Sequence, residues 1–145
     1  MMVGSLLVAA AVALAGATAF DAQAIPKARA DIALACNAEP AIVIRWDAFG
    51  DDANAADALI TNGLGFLTTA FATVCKDADL KAGVGQQITK IALSQAHGAA
   101  DPVVYLSRGT LNIEYLWVKG EPAPDTAYVA VEIAARLRGE EAEAP

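Results

Sequence analysis

The sequence predicts an α+β fold: a two-layer sandwich in which a mixed or antiparallel sheet of about four strands carries two helices on one face, in the order β-α-β-β-β-α. Three observations predict it. AIVIRW at 41–46 puts Ile42, Ile44 and Trp46 on one side at period two, which is strand patterning. Ile60, Leu64, Leu67, Phe71 and Val74 recur at spacings of four, three, four and three, the stripe of an amphipathic helix. VVYLS and TLNIEYLWV are joined across Arg108-Gly109, where a glycine supplies the positive φ that a tight hairpin turn demands.

The chain has 145 residues and a net charge of −7, the size of one domain and a poor electrostatic partner for nucleic acid. Its first feature is the apolar run Val3 to Ala19, rich in small residues and short for a membrane span. Ala17-Thr18-Ala19 and Ala22-Gln23-Ala24 both match the small-x-small pattern of a signal-peptidase site. Residues 1–24 are therefore expected to be a secretory signal peptide, cleaved after Ala19 or Ala24. The usual basic n-region is missing, since no Lys or Arg precedes Lys27. Membrane attachment is expected only if the leader stays uncleaved. Leu34-Ala35-Cys36 is not a lipoprotein signal, because Lys27, Arg29 and Asp31 separate that cysteine from the apolar run.

Export leads to an oxidising compartment, so Cys36 and Cys75, the only cysteines, are predicted to form a disulfide. Reach agrees with this. An extended segment from Cys36 to Trp46 spans at most roughly 33 Å, and a helix from Asn54 to Cys75 climbs roughly 32 Å. A helix folded back along its strand thus returns one sulfur towards the other.

Residues 25–40 lack apolar periodicity and read as a flexible or weakly helical lead-in to a domain spanning 41–139. After the strand comes an acidic turn, Asp47, Asp51 and Asp52, and then a helix with Asn54 and Asp57 in capping-box positions. Gly63 and Gly65 weaken that helix. From Lys76 to Gly85 the pattern breaks into a turn or one short helical piece, and a strand is expected to end near Ala96. HGAADP at 97–102 is a loop, the hairpin follows, and KGEPAPD is a proline-stiffened connector. A last helix starts at Asp125 or Thr126, buries Val129, Ile133 and Leu137, and stops at Gly139. Residues 140–145 form an acidic tail.

Chemistry-bearing patterns are sparse. Asp47, Asp51 and Asp52, with Asn54 and Asp57, gather hard oxygen ligands of the kind Ca²⁺ prefers, but without EF-hand spacing; acids ahead of a helix are equally the residues that cap it. His97, the only histidine, has Asp101, Ser94 and Ser107 within the same region, and neither serine sits in a G-x-S-x-G elbow. The cysteines are too far apart for a C-x-x-C redox pair. Gly83-Val84-Gly85 lacks the rest of any phosphate-binding signature, so no cofactor is expected. Tyr105, Tyr115 and Trp117 are the candidate binding residues. The alternation places Tyr115 and Trp117 with Leu111 and Ile113, whereas the strand bearing Tyr105 is apolar on both faces and implies a sheet face able to bury a partner.

The functional expectation is an exported, disulfide-stabilised, non-enzymatic binding protein for an unknown protein or small ligand. An exported hydrolase or metal-assisted enzyme, centred on the Asp47–Asp57 turn with His97, is the alternative. A structural envelope protein held by an uncleaved leader is the third.

Overall fold

A computed structural model of the protein describes the backbone of residues 3–96, 98 and 101–141, and side chains from Gly16 onward among them. The chain forms α1 (Val3–Cys36), β1 (Ala41–Ile44), a short 3₁₀ turn (Trp46–Phe49), α2 (Ala53–Asn62), α3 (Gly65–Val74) and α4 (Ala78–Gln87). Then come β2 (Lys90–Gln95), β3 (Val103–Ser107), β4 (Thr110–Tyr115) and α5 (Thr126–Leu137).

Four strands make one mixed sheet in the order β1-β2-β4-β3. β1 and β2 pair in parallel, β2 and β4 pair in parallel, and β3 runs antiparallel to β4. The hairpin turns on Arg108 (φ 50°) and Gly109 (φ 82°). Two successive positive-φ residues are the geometry that matches the twist of the flanking strands. The α+β class predicted from sequence therefore holds, with four strands near the expected positions, but β1 stops at Ile44 and Trp46, expected on its inward face, lies in the 3₁₀ turn.

The expected pair of helices is replaced by five among the described residues. The predicted Asn54–Cys75 helix is divided at Gly63, whose φ of 72° closes α2 while its N–H bonds back to the Leu59 carbonyl. Only two residues separate α2 from α3, and Leu64, Leu67, Phe71 and Val74 of the predicted stripe are buried, but on α2 the fully buried residue is Leu59, and the predicted Ile60 is only partly buried. The α2 cap is Asp52, which accepts from the Ala55 N–H at 3.0 Å, and not Asn54. The segment read as a turn or short helical piece is a full helix, α4, capped by Asp77, which accepts from the N–H groups of Asp79 and Leu80.

Residues 25–36 are not a flexible lead-in but the second half of α1. Ala28, Ile32 and Cys36 recur every four residues on its buried face. That stripe is built mainly from alanine and cysteine, so it carries little hydropathy contrast by which to recognise it. The core lies between this helical layer and one sheet face: Ile42, Ile44, Ile91, Leu93, Leu111, Ile113 and Val104 join Ile32, Leu59, Leu67, Phe71, Val129 and Ile133 in one apolar cluster.

Cys36 and Cys75 are bonded, as the sequence predicts, with their Cα atoms 5.3 Å apart. The bridge ties the end of α1 to the residue that follows α3, beneath the layer that covers the sheet. No helix among the described residues is long and apolar enough to cross a membrane.

Candidate functional site

Side chains alternate across a strand, so burying one sheet face leaves the other to be read directly from the register. Its middle row is Val43, Ala92, Asn112 and Tyr105 on β1, β2, β4 and β3. One row towards the β2 C-terminus lie Ser94, Glu114 and Val103, and Arg45 directly follows β1. One row the other way lie Ala41, Lys90, Thr110 and Ser107. Small side chains, Ala92 and Ser94, occupy the central strand, while the larger Val43 and Tyr105 stand exposed on the edge strands.

Tyr105 is the aromatic of this face. It is 37% exposed, and its hydroxyl donates to Glu114 Oε1 at 3.4 Å, a diagonal contact between β3 and β4. The phenol is held above the ordinary tyrosine range, first by partial burial and then by the charge and hydrogen bond of Glu114; the positive charge of Arg45 opposes this. Tyr105 and Glu114 form a hydrogen-bonded pair on β3 and β4, and Arg45, after β1 at the opposite edge of the sheet, and Lys90 on β2 bring positive charge to the same face. Such a surface suits recognition: the ring offers apolar area, and the charges select the orientation of what lies on it.

The other two candidate aromatics are elsewhere. Trp117 is 3% exposed and packs its ring against Phe66, with centroids 5.8 Å apart. Its backbone is clamped by Gln95, which accepts from the Trp117 N–H at 2.8 Å and donates to its carbonyl at 3.3 Å. Tyr115 meets Trp117 edge-on at 5.0 Å and donates to the Pro122 carbonyl at 3.1 Å, so it pins the 116–123 loop. Burial, with Glu121 nearby, raises its pKa as well. The three aromatics do not form one site; Trp117 and Tyr115 belong to the core side of the sheet, and Tyr105 alone faces outward.

The acidic turn does not converge. Asp52 is occupied in capping α2, Asp47 lies in the 3₁₀ turn, and Asp57 pairs with Lys119 at 3.7 Å. Among the described residues no three His, Cys, Asp or Glu side chains are placed to hold a metal ion. His97 lies outside the described residues. Of its suggested partners, Ser94 is on the open sheet face and Ser107 is at the hairpin.

A groove of about 310 Å³ between α4 and α5 is lined by Asp77, Gly83, Gln87, Leu137 and Arg138 among others. Two of its polar side chains are engaged: Asp77 caps α4, and Gln87 donates to the Leu137 carbonyl at 3.1 Å. The outward sheet face is the better candidate because Val43 and Tyr105 stand exposed on it; its polar groups are engaged as well, Tyr105 with Glu114 and Asn112 with the Thr110 carbonyl. Arg45, Glu114 and Asn112 were not singled out in the sequence. Their signal was the outward phase of the same alternation that marked Ile44, Leu111 and Ile113 as core.

No protein-family model matches the chain, and neither a curated protein nor a solved structure matches it.

Proposed function

We propose that this is an exported, disulfide-stabilised binding protein that recognises a protein partner through its open sheet face and performs no covalent chemistry itself. The observation that supports the reading is the exposure of Val43 and Tyr105 on the face opposite the apolar cluster, where Glu114 bonds Tyr105 and Arg45 follows β1. The disulfide supports an oxidising compartment, since such bonds persist outside the reducing cytosol. An enzymatic reading has no comparable support: the acidic residues of the turn serve helix capping and an ion pair, which is structural work.

The test is recovery of partners from envelope extract on immobilised protein. Tyr105→Ala and Val43→Asp both alter the open face without entering the core and are expected to reduce recovery at least tenfold while leaving the thermal midpoint nearly unchanged. Equal recovery by wild type and both folded variants would remove the open face as the binding surface.

A further inference from the structure

The two edges of the sheet are built differently. β1 is four residues long, is entered from Pro40 and leaves through Arg45, and shortness, proline and charge are what keep an edge strand from pairing with another chain. β3, at the opposite edge, has none of the three as marked. Its five residues, VVYLS, hold no proline and no charge, and its pairing with β4 runs without a bulge from Val103↔Glu114 to Ser107↔Thr110.

Which backbone groups this edge offers follows from the hairpin. Ser107 and Thr110 flank a two-residue turn and so exchange hydrogen bonds with each other. Bonded and non-bonded pairs alternate along an antiparallel ladder, so Tyr105 with Asn112 and Val103 with Glu114 are bonded too. Val104 and Leu106 therefore turn their N–H and C=O groups away from β4. The Val104 carbonyl agrees with this, since it accepts from Arg136 Nη1 on α5 at 3.3 Å. A carbonyl has two lone pairs, so that contact leaves it able to take a second donor. The edge thus presents two donors and two acceptors spaced evenly about Tyr105, which is 37% exposed. The strand is also flanked by opposite charges: Asp101 stands before it and Arg108 after it, both exposed.

We propose that β3 is a dimer seam, at which a second copy of this chain adds its own β3 antiparallel about a two-fold axis passing at Tyr105. In that register Val104 bonds the second copy's Leu106, and Leu106 bonds the second copy's Val104, so all four outward groups are used. Tyr105 faces its own counterpart in a non-bonded pair, the closer kind, with about 4.5 Å between Cα atoms. Aromatic side chains opposite one another at such positions attract. Charge is what favours a second copy over an unrelated strand. The register sets Arg108 opposite the second copy's Pro102 and beside its Asp101, once at each end of the seam. Within one copy these two charges lie roughly 23 Å apart along the extended strand, too far to pair with each other. A parallel alignment would instead set acid beside acid and base beside base. The dimer joins two four-stranded sheets into one, with both Tyr105 rings at the centre of its outward face.

Sedimentation velocity of the purified full chain over a wide range of concentration is expected to show a monomer passing to a dimer. Under mild oxidation Tyr105→Cys is expected to cross-link two chains about tenfold faster than Ser107→Cys, because only position 105 meets itself within disulfide reach, about 4.4–6.8 Å between Cα atoms. Both residues are exposed, so neither variant disturbs the core. Arg108→Glu and Asp101→Arg should each weaken the dimer about tenfold, and the double exchange should restore it, since each change turns two opposite-charge pairs into like-charge pairs. A chain that stays monomeric at every concentration overturns the seam. So does a dimer in which the two cysteine variants cross-link at equal rates, or one that the double charge exchange fails to restore. The inference is independent of the open-face proposal: a strictly monomeric chain that still recovers partners through Tyr105 would leave that proposal standing and remove only the seam.

Discussion

Cys36 and Cys75 are bonded across 5.3 Å between their Cα atoms, although 39 positions separate them in sequence. The bond joins α1 to the end of α3, so two helices that both cover the sheet are held in register at one end. A loop of this length restricts the unfolded chain by about 3–4 kcal/mol. Reduction, or Cys36→Ser with Cys75→Ser, is expected to lower unfolding free energy by about that amount in a urea titration. A thiol assay on the unreduced, denatured protein should find no free sulfhydryl; two reactive thiols would refute the bridge.

Helix capping makes a second set of predictions. Asp52, Asp77 and Asp125 each accept a backbone N–H of the helix they precede. Alanine at any one of them should cost about 1 kcal/mol. The same assignment predicts that millimolar Ca²⁺ leaves the melting temperature unchanged, because a ligand bound only by the folded state would raise it. A calcium-dependent shift abolished by Asp52→Ala would show instead that the acidic turn holds a cation.

Two glycines should respond in opposite directions to alanine. Gly83 sits inside α4, and a Cβ there would meet Leu137 Cδ2 at 3.6 Å, ordinary contact, and the flexible end of Gln87 at 3.4 Å. Gly83→Ala is expected to stabilise by about 0.5–1 kcal/mol, through helix propensity. Gly109 has φ of 82°, and a Cβ there would lie 2.9 Å from Thr89 Oγ1. Gly109→Ala is therefore expected to destabilise by about 1 kcal/mol or more. Chemical denaturation of the two variants side by side checks the signs.

Alkaline pH probes the two perturbed tyrosines. The phenols of Tyr105 and Tyr115 are raised from 10.0 by partial burial first and by Glu114 and Glu121 respectively. A raised folded pKa means that the native state holds its proton more tightly than the unfolded chain. Their contribution to stability is complete below about pH 10, the unfolded value, and is lost as pH rises through the folded values. Denaturation midpoints should fall more steeply above pH 10 for the wild type than for Tyr105→Phe, and a phenolate absorbance titration of the native protein should lose one late-ionising group in that variant. Identical slopes would place Tyr105 in an ordinary environment.

What was legible in the sequence depended on local contrast. Ile42 and Ile44 announce β1, and Leu111 and Ile113 announce β4, because apolar and polar residues alternate there. Asp125 with Val129, Ile133 and Leu137 marks α5 for the same reason. α4 was harder to see, since Gly83 and Val84 are its only buried residues and the rest of its surface shows no stripe. The division of α2 from α3 escaped because the apolar spacing is right on both sides of Gly63, and only the backbone dihedral there reveals the break.

The candidate site was legible in outline only. Tyr105 was identified by its strand being apolar on both sides, which the structure explains: β3 is an edge strand with Val104 inward and Tyr105 outward. Trp117 resembled it in composition but is sealed against Phe66, and Glu114 approaches Tyr105 only because β3 and β4 pair in the observed register.

By itself the sequence determined the strand positions, the hairpin, the last helix and the pairing of the two cysteines, since each follows from periodicity, a turn residue or the absence of any other partner. Only the tertiary structure decided that α1 runs unbroken to Cys36, that Asp21 meets Trp46, and that the strands lie in the order β1-β2-β4-β3 with β3 at an edge. These depend on contacts between residues far apart in the chain. Such contacts are set by how whole elements share a finite core, and no local window of sequence contains that information.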